Sequence, residues 1–551
     1  MTTTTSSGRA FAPFTPPTPT PSIRPAPRRR RVYPVWLAPL VVGATVLAVA
    51  IATMTPWPVG VFYDDGIYAI LAKSLATGEG YRYLNLPGHP AATHYPPGYP
   101  ALLALLWLAS PTFPENVALF KLANAVLLSL GAAGLFVFAR RELALGTGAA
   151  AGAILLGCLT VPVLAVTGVL FSEPFFLAML GLALPACERA LREERTRSVV
   201  VAALLAAVTT LVRSIGLPLV GALVVGLLLR RRFRAAAVGA AVAGALLLPW
   251  HVWTSVHADD LPRVVAGSYG SYTAAFGEAL DANGVGYVAR VARYNVRDLA
   301  RPIGAVFAPG VGATMRALIV LAVVGVLGVG SSVLARRAPV TALFLLGYAA
   351  IVIAWPYAPD RFLWGVWPLV LLTLALGAVA GVQGARERRG HGLPLIGNAA
   401  LVVAAGALVF GLVRYNAHGY RHRWWDAAQR SVARRWLPLV DWAASNTRPG
   451  DVIASDGDPL LYLYTGRHAV PSARWAVEAY PGPADSASRV ADLSELLAVY
   501  NARYLLFGSN QSPSSGAAVT LAGAPQPRLQ MLGVLAGGGA VFTTTPDPGR
   551  E

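Results

Sequence analysis

The chain is poor in charged residues, which make up 13% of its 551 positions, whereas soluble proteins carry about 25%. It has only two cysteines. Cys158 and Cys187 both lie in apolar segments and have no partner at metal-ligand spacing, which argues against a disulfide framework or a thiolate metal site. The sequence also lacks an internal repeat and the matching halves found in many secondary transporters.

Apolar residues are abundant instead: they form 55% of the chain, and the mean hydropathy is +0.54. Runs near the length needed to span about 30 Å of hydrocarbon recur throughout. They predict an α-helical polytopic membrane protein with about 11–13 transmembrane segments. The apolar runs cover residues 34–56, 98–112, 117–139, 146–170, 172–188, 198–212, 214–230, 235–255, 311–334, 339–356, 362–381 and 393–414.

The net charge of +18 comes almost entirely from arginine, much of it at the ends of apolar runs, so it indicates topology and not nucleic-acid binding. The positive-inside rule makes these arginines cytoplasmic: Arg28–Arg31, Arg140-Arg141, Arg189 to Arg197, Arg230–Arg232 with Arg234, Arg336-Arg337 and Arg386 to Arg389. The opposite face then carries Asp64-Asp65, Ser172-Glu173, Arg213, residues 256–310 and Asp360-Arg361. Twelve full crossings would leave the C-terminus inside, so we expect 98–112 to be short, re-entrant or paired with its neighbour.

Three regions follow from this pattern. Residues 1–33 are rich in Thr and Pro and end in arginines, which predicts a disordered cytoplasmic tail and not a cleavable signal peptide. Residues 34–414 form the transmembrane domain, with extracytoplasmic loops at 56–97 and 256–310. Residues 415–551 are less apolar and predict a small extracytoplasmic α/β domain, with strands at 451–455 and 503–507 and a helix at 488–501.

Asp64 and Asp65 directly follow the first apolar run. Two carboxylates where a helix leaves the bilayer are costly unless they have a task. The segment after them, with Ile67, Leu71 and Leu75 on one side, predicts an amphipathic helix at the membrane interface. A carboxylate fixed there can act as a general base on a hydroxyl group. The alternatives are a solvated pair of loop carboxylates, or a pair that holds a divalent ion without a further ligand at fixed spacing.

Two further motifs carry polar residues on the same face. His94 and Tyr95 precede a rigid Pro96-Pro97-Gly98 turn, which either only stops the loop or presents both side chains to a substrate head group. Glu173 lies within a long apolar stretch, where an acid is a functional candidate by default. The alternative is that Ser172 caps a helix whose dipole Glu173 complements.

Arg213 and Arg361 stand at the outer ends of apolar runs. Either can neutralise a phosphate with two donors, or can be an arginine that extends to the interface. His94 and Lys73 are further candidates for that contact. The aromatic residues of the 256–310 loop either cover the site and bind a sugar face or form a packed cap: Tyr269, Tyr272, Phe276, Tyr287 and Tyr294.

Together these motifs resemble the GT-C glycosyltransferases. The closest branch contains bacterial proteins related to protein O-mannosyltransferases and lipid A aminoarabinose transferases. The resemblance covers residues 34–414 and rests on the order and spacing of five motifs: Asp64-Asp65, Gly78 to Tyr81, His94 to Gly98, Ser172-Glu173-Pro174 and Asp360-Arg361-Phe362. Members commonly have Asp-Glu where this chain has Asp64-Asp65. Aminoarabinose transferases tend to have lysine at the position of Tyr95, which argues against aminoarabinose as the sugar.

The resemblance implies transfer of a sugar from a polyprenyl-phosphate donor to a hydroxyl acceptor (glycan, lipid or protein) outside the cytoplasmic membrane, usually with inversion. It implies that Asp64 is the general base and Asp65 a supporting or substrate-binding acid. No cofactor is implied. The alternative function is a transporter or flippase of lipid-linked sugars that uses the same acids and arginines without turnover.

Overall fold

The computed structural model describes residues 1–3, 36–387, 392–482, 485–509, 512 and 514–544. Apart from residues 1–3, the predicted tail at 1–33 lies outside the described residues, as do Arg388 and Arg389 of the last arginine cluster. From residue 39 onward, the described residues form one compact unit.

Helices make up most of the chain. The first ten are α1 (Leu37–Ala52), α2 (Asp64–Ala76), α3 (Gly98–Ala109), α4 (Val117–Arg141), α5 (Thr147–Cys158), α6 (Val161–Gly168), α7 (Glu173–Arg192), α8 (Thr196–Val212), α9 (Leu217–Leu229) and α10 (Phe233–Val256). The next nine are α11 (Arg263–Tyr269), α12 (Tyr272–Asn283), α13 (Gly286–Phe307), α14 (Ala313–Arg337), α15 (Pro339–Ala354), α16 (Asp360–Gly365), α17 (Trp367–Glu387), α18 (Gly392–Arg421) and α19 (Trp424–Asn446).

The long helices carry polar groups mainly at their ends. α7 begins with Glu173-Pro174 and ends with Arg189 and Arg192 in its last turn. The acid at the start and the arginines at the end complement the helix dipole, and proline fits the first turn because its missing backbone donor is not needed there. α4 likewise ends in Arg140 and Arg141. Between these ends α4 and α7 are mostly apolar, and their internal charged residues, Lys121 and Glu188, are buried, as expected where other helices surround them.

Among the described residues, six helices are long and apolar enough to cross a membrane: α4, α7, α10, α14, α17 and α18. The pair α5–α6, bent by 53°, adds a seventh if it forms one broken span. The other apolar helices have 10–17 residues. The polytopic helical class predicted from the sequence is therefore confirmed, while the number of full crossings stays a prediction.

Helix α3, which corresponds to the apolar run 98–112, has only twelve residues. At its start, a Cβ on Gly98 would lie 2.7 Å from the Leu211 carbonyl oxygen, two residues before Arg213. Just beyond its end, the ring of Phe113 packs on Tyr464, with centroids 5.0 Å apart. The Tyr464 hydroxyl in turn accepts a hydrogen bond from the amide of Val59, in the first loop. Both ends of α3 thus contact other parts of the protein, and whether the segment is re-entrant stays a prediction.

Helix α2 forms where the sequence predicts it, but it does not lie on a membrane surface. Nine of its thirteen residues are buried, on all sides of the helix. It packs against α3 on one side and against the C-terminal domain on another. A Cβ on Gly66 would come within 2.6 Å of the Pro459 Cβ. The apolar positions Ile67 and Leu71 therefore face protein instead of lipid.

The C-terminal region forms the predicted α/β domain. Its elements are β1 (Val452–Ser455), α20 (Asp458–Thr465), β2 (His468–Pro471), α21 (Ser486–Val499), β3 (Tyr504–Phe507), α22 (Ser515–Ala522), β4 (Leu529–Val534) and β5 (Ala540–Thr544). The sheet order is β2-β1-β3-β5-β4, with β2, β1 and β3 parallel and the last two strands antiparallel. The predicted strands and helix are present, although α18 continues past the predicted boundary at residue 415.

The 256–310 loop is helical and acts as a packed cap. Tyr269 and Tyr287 are fully buried, and the Tyr287 hydroxyl donates to the Val477 carbonyl oxygen at 2.5 Å. Phe276 stacks on Trp355 with ring centroids 5.4 Å apart. Tyr287 thus joins α13 to the C-terminal domain, and Phe276 joins α12 to the residue that follows α15. Both contacts favour the packed cap over a loose, sugar-binding cover.

Candidate active site

Four charged side chains from separate parts of the chain form one network. Glu173 Oε1 accepts from Arg213 at 2.6 Å and from Arg361 Nε at 2.7 Å. Arg361 also forms an ion pair with Asp64 Oδ2. Glu173 is almost completely buried, whereas the side chains of Asp64 and Arg361 are each 26% exposed. The network therefore runs from a buried carboxylate to an accessible one.

The turn before α7 directs these groups toward each other. Leu170 adopts a left-handed conformation with φ of 62°, which is unusual for a branched residue. Phe171 then lies under Arg361, whose guanidinium carbon is 3.5 Å from the ring centroid, a cation–π arrangement. The Ser172 hydroxyl does not cap the helix. Instead it accepts from Arg213 at 3.2 Å, so the capping alternative for Ser172 is wrong.

The two arginines remain charged in this environment. Burial alone would lower the pKa of Arg361, but the neighbouring carboxylates of Glu173 and Asp64 raise it well above its ordinary value. Because a guanidinium carries five donors, a group bound to two carboxylates can still offer donors to a further anion. The predicted pairing of Arg213 and Arg361 near one site is thus present in the structure.

Asp64 lies in the first turn of α2, after Tyr63, whose φ is 70°. Its Oδ1 accepts from the Tyr95 hydroxyl at 2.7 Å, and Tyr95 in turn accepts at its carbonyl oxygen from the Tyr81 hydroxyl at 2.8 Å. Burial raises the pKa of Tyr95 well above its ordinary value, with help from Asp64, so Tyr95 is a donor to the carboxylate. The structure thus brings Tyr95 to Asp64, where the family resemblance expects a lysine.

Asp65 faces away from Asp64 and fixes the loop that precedes α2 through hydrogen bonds to its backbone. It is 1% exposed, and it accepts from the backbone amides of Gly60 at 2.7 Å and Phe62 at 2.9 Å. Burial raises its pKa to about 6 against the opposing effect of these hydrogen bonds. The two adjacent carboxylates therefore do not form a shared chelate. Within the described ranges, no group of three or more His, Cys, Asp or Glu side chains is placed to hold a metal ion.

His94 is an anchor between two loops. It is 6% exposed, and its Nδ1 lies 2.7 Å from the Gly270 carbonyl oxygen, so Nδ1 carries the proton. Burial lowers the pKa of His94 to about 4, which keeps the imidazole neutral at physiological pH. A neutral ring does not serve as the cation that the sequence suggests for a phosphate, although it still borders the cavity described below.

Lys73 is not part of the network. Its Nζ lies 3.3 Å from the Tyr462 hydroxyl and over the Tyr462 ring, and burial lowers its pKa. Nine residues separate Lys73 from Asp64 on α2, which places the two on opposite sides of the helix. Lys73 therefore contacts the C-terminal domain, and its predicted role at a phosphate has no support from its position.

A cavity of about 480 Å³ opens beside Asp64, between the first loop, the cap and the C-terminal domain. The C-terminal domain contributes residues that the sequence motifs did not predict, among them Asp458 and Ser472. Asp458 is fully buried and accepts from the Tyr269 hydroxyl. The sequence pattern that could have indicated these residues is Ser455-Asp456-Gly457-Asp458-Pro459, which lies where β1 ends and α20 begins.

Two crystal structures of ArnT from Cupriavidus metallidurans resemble this chain. One is bound to undecaprenyl phosphate and superposes with a TM-score of 0.50; the other is in the apo state, with a TM-score of 0.52. Each match has 14% sequence identity and covers 93% of this chain and 99% of ArnT. The likeness is one of fold.

No family model matches the sequence, and no curated protein matches it either. The structural match nevertheless spans both the transmembrane helices and the C-terminal domain. The GT-C type of fold inferred from the motif order is therefore confirmed, at an identity too low to carry activity or substrate with it.

Proposed function

We propose that this protein is an integral membrane glycosyltransferase that moves a sugar from a polyprenyl-phosphate donor to a hydroxyl acceptor on the extracytoplasmic face. The observation that carries the proposal is the Asp64–Arg361–Glu173–Arg213 network at the edge of a cavity. Its location in an ArnT-like fold adds support, because one ArnT structure is described as bound to undecaprenyl phosphate.

The network contains the groups that such a transfer needs. The acceptor oxygen bonds to the anomeric carbon while the bond from that carbon to the phosphate oxygen breaks, and the electron pair leaves with the lipid phosphate. Arg361 and Arg213 stabilise the phosphate charge through oriented donors. Asp64 takes the proton of the acceptor hydroxyl.

Glu173 sets the position of both arginines. Because it is buried and binds each of them, it holds their side chains in one orientation before the donor arrives. Such preorganisation lowers the cost of aligning charge during the reaction. Glu173 is in this proposal a positioning residue, and Tyr95 orients the second oxygen of Asp64.

The test is an assay with purified protein and radiolabelled undecaprenyl-phosphate sugars. Asp64→Asn should lower the transfer rate by about 10²–10⁴-fold, the range for loss of a general base. Glu79→Gln is the matched control, because Glu79 is an exposed acid just after the same helix, and it should retain activity. Wild-type turnover by Asp64→Asn would exclude Asp64 as the base.

A second variant examines the phosphate contact. Arg361→Lys should recover only part of the activity, because an ammonium group lacks the fork that reaches Asp64 and Glu173 at once. Losing one charge-assisted hydrogen bond, worth about 1.5–3 kcal/mol, corresponds to roughly a 10–150-fold lower rate.

If the wild type instead moved intact lipid-linked sugar across the membrane of liposomes without turnover, the flippase alternative would replace the transferase.

A further inference from the structure

Four buried polar atoms that line the cavity beside Asp64 have no partner in the described part of the chain: the hydroxyls of Tyr63 and Tyr357 and one side-chain oxygen each of Asp458 and Ser472. Asp458 is 0% exposed and Ser472 is 1% exposed, and both line the cavity. Asp458 Oδ1 and Ser472 Oγ have no hydrogen-bond partner among the residues that the structure describes. Because buried polar groups are nearly always paired, four such atoms lining one cavity indicate a ligand.

The rest of Asp458 is held firmly. Its Oδ2 accepts from the Tyr269 hydroxyl and, at 3.3 Å, from Asn85 Nδ2. Tyr269 is itself fixed, since its carbonyl oxygen accepts from the Tyr83 hydroxyl at 2.8 Å. With one carboxyl oxygen bound from two sides, the other is held in a fixed direction at the cavity wall.

The position in the domain also favours ligand binding. Asp458 follows the carboxyl end of β1, and Ser472 follows the carboxyl end of β2. β1 lies between β2 and β3 in the sheet, so the chain leaves β1 toward one neighbour and later returns on its other side. Crevices at the carboxyl ends of parallel strands, where the order reverses, are the usual ligand sites of such sheets.

The chemistry of the two atoms matches a hydroxyl-bearing ligand. Burial raises the pKa of Asp458 well above its ordinary value, so its carboxyl group can donate as well as accept. A serine hydroxyl has the same double capacity. Sugar hydroxyls also donate and accept, whereas an ammonium or guanidinium group only donates and a phosphate mainly accepts.

An aromatic wall completes the cavity. Trp475 is 42% exposed, and it stacks on Tyr357 with ring centroids 5.5 Å apart and an interplanar angle of 22°. Both residues line the cavity. The negatively polarised faces of aromatic rings attract the weakly positive C–H groups on the face of a sugar ring.

The charge around the cavity disfavours an anionic ligand. Four carboxyl groups border it: Asp64, Asp456, Asp458 and Asp492. They face two arginines, of which Arg474 forms an ion pair with Glu478 at 2.9 Å. Even with Asp458 protonated, the three remaining acids outnumber the two arginines along this wall, so a phosphate group is less favoured here than at the Arg213 and Arg361 pair.

We propose that this cavity is the acceptor site and binds a neutral glycan, whose hydroxyl groups hydrogen-bond to Asp458 Oδ1 and Ser472 Oγ while one of them reaches Asp64. The assignment as an acceptor rests on the proposed transferase function. The assignment as a glycan site rests on the cavity alone, and the two are tested separately.

The experiment titrates wild-type protein in nanodiscs with neutral manno-, gluco- and galacto-oligosaccharides of two to six units, following quenching of tryptophan fluorescence and saturation-transfer NMR. The comparison probes are the same oligosaccharides bearing a phosphate and a Ser/Thr-rich peptide. The variants are Ser472→Ala and Asp458→Asn. Their matched controls are Ser494→Ala, whose hydroxyl bonds within α21, and Asp451→Asn, at the opposite end of β1.

At least one neutral oligosaccharide should bind the wild type and both controls. Its affinity should fall by roughly 3–10-fold in each variant, as expected for one lost hydrogen bond. Undecaprenyl phosphate, titrated in parallel, should bind all five proteins alike. Ser472→Ala removes one oxygen from the cavity wall, so it carries the test by itself if Asp458→Asn does not fold.

Three results would overturn the proposal: no neutral oligosaccharide binds, a phosphorylated one or the peptide binds more tightly, or Ser472→Ala leaves the affinity unchanged. Failure of the transferase function has a different signature. In that case no donor is turned over, while oligosaccharides still bind and Ser472→Ala still lowers their affinity.

Discussion

Glu173 is the residue on which the charge network depends. It is 1% exposed and forms ion pairs with two arginines, so Glu173→Gln leaves both guanidinium groups without their shared carboxylate. Breaking a buried ion pair typically costs about 3–5 kcal/mol. We expect a loss of that order in the free energy of unfolding, measured by chemical denaturation in detergent.

A suitable control is Glu193→Gln. Glu193 is 41% exposed and lies 4.0 Å from Arg189, and exposed pairs of this kind contribute at most about 1 kcal/mol. Equal losses in the two variants would mean that the Glu173 network contributes no more than a surface ion pair.

His94 gives a pH-dependent prediction. Its pKa of about 4 in the folded protein lies below the ordinary value of 6.5. As the pH falls from 6.5 to 4, the unfolded chain gains a proton that the folded protein does not, so the folded state loses stability. The shift corresponds to about 3 kcal/mol. His94→Asn, which can still donate to Gly270, should lose less stability between pH 7 and pH 4 than the wild type.

The pH–rate profile distinguishes the anchoring role of His94 from a role as a phosphate ligand. If His94 acted as a cation toward the donor, the rate of transfer would fall as the pH rises through about 6.5. We expect no such change in the pH–rate profile, and a fall there that disappears in His94→Asn would contradict the anchoring role.

At the scale of elements, the contact between α2 and α20 is unusually close. A Cβ on Gly66 would lie 2.6 Å from Pro459 Cβ and 2.9 Å from Gly60 Cα. Gly66→Ala should therefore separate the two helices and lower stability by about 1–3 kcal/mol, as other overpacked sites do. Thermal unfolding in detergent would measure the loss.

Gly152→Ala provides the comparison within another helix. A Cβ at Gly152 in α5 meets no atom within 4 Å, and alanine favours helix by up to about 1 kcal/mol. This variant should be neutral or slightly more stable. A neutral Gly66→Ala would show that α2 and α20 can move apart at little cost.

The elements also show what sequence can and cannot predict. Local patterns predict α2, β1 and β3, because hydrophobic periodicity and strand-forming residues act over short distances. The distribution of arginines places Asp64, Glu173, Arg213 and Arg361 on one face, and the structure brings these four together. That much follows from the membrane, which forces each span to end on one of two sides.

Long-range packing is what the sequence does not predict. The pattern of α2 fits an interfacial helix equally well, and only the C-terminal domain packed on it shows that the apolar side faces protein. The same holds for Asp458, whose partner Tyr269 is 189 positions away. Lys73, a candidate for the phosphate contact, instead lies against Tyr462, which is 389 positions away in the C-terminal domain.

At the scale of the whole molecule, the arginine pattern predicts which parts lie outside. Single cysteines replacing Glu79, Ala358 and Ser486, all exposed positions, should react with an impermeant thiol reagent added to intact cells. A cysteine replacing Arg141 should not. The native Cys158 and Cys187 are buried and give little background. Labelling at Arg141→Cys together with protection at Ser486→Cys would show that the topology is the inverse of the predicted one.

The structure changes the choice of labelling positions. Ser514, a natural first choice in the C-terminal domain, is 2% exposed, and its hydroxyl donates to the Ser472 carbonyl oxygen. Gly88 has a φ of +80°, which disfavours cysteine. Arg388 lies outside the described residues. Glu79, Ser486 and Arg141 avoid these problems.

The charge network also has a consequence for biosynthesis. Glu173 in α7 meets its first partner, Arg213, only about forty residues later in the chain, directly after the end of α8. Asp64 can pair with Arg361 only after almost three hundred further residues have been synthesised. At the usual 5–20 residues per second, that delay is roughly 15–60 s. A nascent chain therefore neutralises its buried acid early and completes the accessible end of the site only when most of its helices have been made.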